Sequence, residues 1–175
     1  MGWVTWANLL TAFRFAFIPG TAFAVLFADW SVAAVLFILA VVSDVYDGRL
    51  ARRFNQQNRF GGIFDHTTDA LFVAACCAAL AAQGLINPYL WPLILLSFTQ
   101  YVFDSKVLAG QPLKASIIGR SNGIAYYALA GTAIGAQALN FTCLMPLVAI
   151  TAWLLVLTSL ISMTDRALAL WRLNS

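Results

Sequence analysis

From Ser121 to Thr164 the chain reads SNGIAYYALAGTAIGAQALNFTCLMPLVAITAWLLVLTSLISMT, 44 consecutive residues without a charged side chain. A helix crosses the hydrocarbon core of a bilayer in about 20 residues, so this stretch holds two crossings, parted where polar residues gather near Gln137 to Asn140. Ala70 to Phe103 repeats the pattern over 34 uncharged residues, interrupted by the turn signal Gln83-Gly84-Leu85-Ile86-Asn87-Pro88. Two shorter runs, Phe15–Ala28 and Trp30–Ser43, complete the series. The first reaches spanning length if Arg14 turns toward the headgroups, the second if the aspartate segment that follows it faces protein. Composition agrees: 62% of the 175 residues are hydrophobic and 10% charged, against about 25% charged in soluble domains. The expectation is an all-α integral membrane protein of six transmembrane helices, with residues 1–175 forming one membrane domain.

Charge sets the expected orientation. All ten basic residues fall on one side of a six-span layout: Arg14; Arg49, Arg52, Arg53 and Arg59; Lys106, Lys114 and Arg120; Arg166 and Arg172. Cytoplasmic loops collect Lys and Arg, so both termini and both long loops are expected in the cytoplasm, as for a bacterial inner membrane protein. Trp3, Trp6, Leu9 or Leu10, and Phe13 recur at helical spacing before Arg14. They form either a short interfacial helix along the cytoplasmic surface or the early start of helix 1. The beginning of the chain lacks the features of a signal peptide and is read as part of the mature protein. Nothing offers the exposed basic face that a nucleic acid needs. Cys76, Cys77 and Cys143 lie in apolar runs without metal-ligand spacing, which argues against a disulfide framework and a zinc site.

The acidic residues are all aspartates, and four of the seven lie between positions 44 and 69. They read Asp44-Val-Tyr-Asp47-Gly48-Arg-Leu-Ala51-Arg52, then eight residues, then Gly61-Gly-Ile-Phe-Asp65-His66-Thr-Thr-Asp69. Residues three or four apart share a helix face, so Asp44 pairs with Asp47 and Asp65 with Asp69. Antiparallel packing of helices 2 and 3 would bring four carboxylates together near the cytoplasmic helix ends, where their repulsion calls for cations. Oxygen ligands select hard ions, and four carboxylates balance two divalent cations, Mg²⁺ or Mn²⁺, of the kind that activate phosphoryl transfer. Gly48 and Gly61 leave space for a phosphate, and Arg52 is placed to meet leftover negative charge.

The pattern Asp-x2-Asp-Gly-x2-Ala-Arg-x8-Gly-x3-Asp-x3-Asp resembles the signature of the CDP-alcohol phosphatidyltransferase family at every defined position, and the six-helix layout extends the similarity to nearly the whole chain. The resemblance implies a membrane enzyme of phospholipid synthesis that transfers a substituted phosphate from a CDP-alcohol, most simply CDP-diacylglycerol, to an alcohol acceptor, releasing CMP. It implies Asp44, Asp47 and Asp65 as ligands of two metals, Asp69 as general base with some metal contact, and Gly48, Ala51, Arg52 and Gly61 around the cytidine diphosphate. It also implies a homodimer, for which the small face Ala74, Ala75, Ala78 and Ala79 leaves room.

The acceptor stays open at this level. Asn8-Leu-Leu-Thr11-Ala-Phe-Arg14 looks like the N-terminal segment of the phosphatidylglycerophosphate synthases of the family. That likeness places Thr11 and Arg14 on the donor side, whereas the residues alone read Arg14 equally as a headgroup anchor. An Asp-His pair at Asp65-His66 is similar instead to the choline and ethanolamine phosphotransferase branch, where a lipid alcohol is the acceptor; otherwise His66 is a packing or outer-layer residue. Lys114, Ser116 and Arg120, in a loop leading into helix 5, suit a phosphorylated acceptor such as glycerol 3-phosphate, or serve orientation alone. A divalent cation transporter would also gather aspartates in a bundle, but nearer the midplane. A non-catalytic membrane scaffold would need no paired aspartates at all.

Overall fold

A computed structural model describes the backbone of residues 6–53, 59–104 and 117–174, and the side chains of residues 14–46, 62–103 and 118–168. Six α-helices run through these residues: α1 (Trp6–Leu26), α2 (Trp30–Arg53), α3 (Arg59–Ala82), α4 (Leu90–Asp104), α5 (Ile117–Ala138) and α6 (Met145–Asn174), with one 3-10 turn at Thr142–Leu144 before α6.

The turns between α1 and α2, α3 and α4, and α5 and α6 begin with the same backbone closure. In each, one N–H reaches back five residues, from Asp29 to Ala24, from Leu85 to Leu80 and from Phe141 to Ala136. The preceding N–H reaches back three, from Ala28 to Val25, from Gly84 to Ala81 and from Asn140 to Gln137. This double bond satisfies the last carbonyls of a helix and requires a left-handed residue at the bend. Ala28, Gly84 and Asn140 supply it, with φ of 56°, 71° and 57°. The next helix is then capped: Asp29 Oδ1 accepts the Val32 N–H, and Asn87 Oδ1 accepts those of Tyr89 and Leu90. Gln83 adds a tie between hairpins, its Nε2 donating to the carbonyls of Val25 and Leu26 at the end of α1.

α3 is the central helix, packed against α1, α4 and α5, while α6 closes the bundle over α4 and α5. Phe72, Cys76, Cys77 and Leu80 on α3 are wholly buried. α2 rests on α1 and α5. At its contact with α5, Phe37 fills the space over Gly131, where a Cβ would come within 2.9 Å of the ring. Hydroxyls inside the apolar helices bond to carbonyls one turn back, as Thr68 does to Phe64, Thr99 to Leu95 and Thr151 to Leu147. Such bonds satisfy these hydroxyls without water.

The outward faces are apolar. Leu147, Ile150, Leu154, Leu157 and Ile161 form an exposed stripe along α6 at alternating steps of three and four residues. In a water-soluble bundle the outward stripe is polar. These apolar helices are consistent with a membrane-associated protein. By length and composition, however, only two stretches among the described residues are suited to crossing a membrane, Gly62–Ala82 and Thr142–Leu168, with mean hydropathy 1.4 and 2.3. The expected count was six. Arg14–Leu26, Trp30–Tyr46 and Leu90–Phe103 are shorter apolar stretches of the described residues, and α4 has only 15 residues in all. α5 is diluted by glycine, alanine and polar residues.

Three further expectations are corrected. The alternative of a separate interfacial helix before Arg14 gives way to one continuous α1 from Trp6 to Leu26, because Arg14 finds partners inside the bundle and no turn is needed to carry it outward. Helices 2 and 3 are joined through α1, which packs against both, rather than mainly against each other. Arg120 and Arg166, expected in loops, lie within α5 and α6.

Candidate functional site

Arg14 is completely buried, with an exposure of 0%, and its guanidinium sits among three carboxylates. Nη2 is 3.0 Å from Asp44 Oδ1 on α2, Nη1 is 3.0 Å from Asp65 Oδ1 on α3, and Nη1 also donates to Asp69 Oδ1. Burying a cation is costly unless charges of opposite sign surround it. Here the planar fork of Arg meets them from two helices at once, a geometry that lysine cannot reproduce. The reading of Arg14 as a headgroup anchor is thereby corrected.

Asp65 and Asp69, one turn apart on α3, face the same way, as their spacing predicts. Asp69 Oδ1 accepts a second hydrogen bond, 3.1 Å long, from the Tyr127 hydroxyl on α5. Donor atoms of Asp65, His66 and Asp69 lie within 4.8 Å of one another, close enough for one ion. The all-oxygen character of the carboxylates, with one imidazole beside them, fits a hard divalent cation, and their convergence on a guanidinium shows a site already shaped for positive charge.

A pocket of about 340 Å³ opens beside this cluster. Asp44, His66 and Asp69 form its acidic wall, and Ala70, Val73, Ile94 and Phe98 an apolar one. Arg120 and Arg166 bring positive charge, and Tyr101, Tyr126 and Tyr127 bring aromatic hydroxyls. The Arg166 guanidinium lies 5.0 Å from the centre of the Tyr101 ring, a cation–π contact that holds it in the pocket wall.

Of the residues singled out from sequence, the structure thus brings together Asp44, Asp65, Asp69, Arg14, His66 and Arg120. Asp47, Gly48, Ala51 and Arg52 continue α2, Gly61 lies in α3 and Thr11 in α1, all with side chains outside the described residues. Lys114 and Ser116 fall wholly outside them. Arg166 and Tyr127 are among the lining residues that sequence reasoning missed. Arg166 had been counted only toward orientation, although a charge followed by eight more helical residues stands inside a helix. Tyr127 carried no signal, being one of two adjacent tyrosines in an apolar run.

Known proteins are similar to this chain in sequence. A CDP-diacylglycerol–glycerol-3-phosphate 3-phosphatidyltransferase of Cereibacter sphaeroides is 36% identical over 117 residues, which cover 63% of this chain and 52% of the relative. A protein of the same name from Escherichia coli K12 is 45% identical over 72 residues, 38% of either chain. A Mycobacterium bovis relative, provisionally named a cardiolipin synthase, is 34% identical over 97 residues, covering 54% of this chain and 45% of its own length. The chain thus spans about half the length, or less, of the curated relatives it matches. Residues 4–171, nearly the whole chain and the entire aspartate cluster, match the family description itself, and the protein belongs to the CDP-alcohol phosphatidyltransferase family.

Proposed function

We propose that this protein transfers the phosphatidyl group of CDP-diacylglycerol to an alcohol acceptor, glycerol 3-phosphate by preference, and releases CMP. The observation that carries this reading is the convergence of Asp44, Asp65 and Asp69 on one buried positive charge, at the wall of a pocket that also holds Arg120 and Arg166. The names of the relatives from Cereibacter and Escherichia support the same donor and acceptor.

In this reading Asp44, Asp47, Asp65 and Asp69 hold two divalent cations, Mg²⁺ or Mn²⁺. When bound, these neutralise the diphosphate and stabilise the departing CMP. Asp69 takes the proton of the acceptor hydroxyl. As the acceptor oxygen bonds to the phosphorus that carries diacylglycerol, the bond from that phosphorus to the bridging oxygen breaks, and its electron pair leaves with CMP. Thr11, Arg14, Gly48, Ala51, Arg52 and Gly61 serve the donor side. Lys114, Ser116, Arg120 and the newly found Arg166 receive the acceptor's phosphate. His66 lines the pocket beside Asp69, which favours the second reading, a neutral acceptor as in choline or ethanolamine transfer.

The test is incubation of the purified chain with CDP-diacylglycerol and a panel of alcohols, reading CMP release and lipid product. CMP release is expected with glycerol 3-phosphate and Mg²⁺ or Mn²⁺, and complete loss with a chelator. Full turnover in chelator rules out the metal reading, and a preference for a neutral alcohol transfers the assignment to the second one.

The chain is further proposed as a single domain of six spans, both termini and the site facing the cytoplasm of a bacterial inner membrane, and as a homodimer. The one-sided distribution of ten basic residues supports the topology. Single cysteines placed at Arg53 and Asn140 in a cysteine-free background are expected to label from opposite sides; labelling from one side contradicts the six-span arrangement.

A further inference from the structure

We infer that Tyr127 is a positioning residue for Asp69, fixing which carboxylate oxygen receives the acceptor's proton; the inference rests on the proposed role of Asp69 as base. Tyr127 comes from α5, the acid from α3, and the 3.1 Å hydrogen bond between them reaches across the helix interface. The hydroxyl donates to Oδ1, the same oxygen that takes the Arg14 bond. Two donors from two different helices on one oxygen stop the carboxylate from rotating. Oδ2 is then the oxygen presented to a reacting hydroxyl in the pocket that Asp69 and Tyr127 both line.

The tyrosine ring is itself held. It stacks on Phe72, with centroids 6.0 Å apart and planes 18° from parallel, and meets Phe37 at 6.2 Å and 55°. Phe72 follows Asp69 by less than one turn of α3 and is completely buried, while Phe37 is seated over Gly131, one turn beyond Tyr127 on α5. These three rings tie α2, α3 and α5 together around the hydroxyl. A surface tyrosine that met the acid by chance would lack this clamp. The neighbouring Tyr126 shows the contrast: its hydroxyl meets the neutral side chains of Asn122 and Ser159, the latter 2.5 Å away on α6, and no carboxylate among the described residues.

The experiment compares wild type, Tyr127→Phe and Gln83→Leu in the CMP-release assay with CDP-diacylglycerol, glycerol 3-phosphate and Mg²⁺. Tyr127→Phe keeps the ring packing, so the fold is retained. Its kcat is expected to fall about tenfold, in keeping with loss of one hydrogen bond to a charged group. The KM for donor is expected to stay within about twofold, and the solvent deuterium isotope effect on kcat to grow as proton transfer becomes limiting. Gln83→Leu, which breaks the tie to the end of α1 outside the pocket lining, is expected to lower the melting temperature and leave kcat unchanged. An unchanged kcat in Tyr127→Phe beside an active wild type overturns the positioning role and leaves the proposed reaction standing. So does a loss matched by an equal rise in donor KM with no change in isotope effect. Wild type that releases no CMP with any acceptor overturns the reaction and the positioning role together.

Discussion

Replacing Asp69 with asparagine is expected to lower kcat by about 10²- to 10⁴-fold, the range over which a positioned general base contributes. The substitution is nearly isosteric. An asparagine Oδ1 still accepts from Arg14 and Tyr127, so the arrangement around it is kept while the capacity to take a proton is lost. Binding of the CDP-lipid is expected to change by only a few fold, which separates this variant from Asp44→Asn, where metal affinity falls as well. The measurement is kcat and donor affinity on the same preparation. A near-normal rate in Asp69→Asn assigns the base elsewhere.

Arg14→Met has the second large effect, this time on stability. Removing one partner of a buried ion pair leaves the remaining charges without compensation and costs about 3–5 kcal/mol. Asp44, Asp65 and Asp69 keep side-chain exposures of 42%, 32% and 23%, so water and salt temper their repulsion and the lower end of that range applies. For a chain of 175 residues, about 3 kcal/mol lowers the melting temperature by about 6–12 °C. The loss is expected in chelator and is expected to shrink with saturating Mg²⁺, because a divalent ion relieves the same repulsion. Arg14→Lys should recover part of it, since one ammonium cannot bridge three carboxylates with the fork geometry of arginine. Equal melting of wild type and Arg14→Met in chelator would show that the guanidinium does not hold the cluster together.

How far the sequence exposes this site depends on whether the information is local. Asp65 and Asp69 were legible because a step of four along a helix places side chains on one face without reference to the rest of the fold. The helix breaks at Gln83–Asn87 and Gln137–Asn140 were legible for the same reason, since capping and left-handed bends depend on neighbours in the chain. Arg14 was not. Its partners lie 30 to 55 residues away on two other helices, and a row of charges along the chain does not say which of them meet. That ambiguity produced the separate interfacial helix and the direct pairing of helices 2 and 3, both of which the buried arginine replaces. Arg120 and Arg166 were displaced in the reading because a positive residue at the edge of an apolar run marks a loop and a helix terminus alike. Tyr127 depends on three rings from three helices, a contact that no spacing rule encodes. The span count rested on the absence of charge, which says nothing of the glycine, alanine and polar residues that dilute an uncharged helix such as α5.

The repeated closure at Ala28, Gly84 and Asn140 bears on how such a chain enters a bilayer. Each of these bends joins two apolar helices into a hairpin whose tip has its carbonyls already bonded, and across the three tips the only ionised side chain is Asp29. A hairpin can be pushed through hydrocarbon as a unit when its leading end carries little polar surface, because neither unpaired peptide groups nor charges must shed water on the way. The charged connections stay behind. If all six helices cross the bilayer, as proposed, three hairpins would insert in chain order, and the carboxylates of α2 would meet their partners on α3 only after the second hairpin had arrived beside the first. Until then Arg14, in the same hairpin as Asp44 and 3.0 Å from it in the folded chain, would be that aspartate's counter-ion.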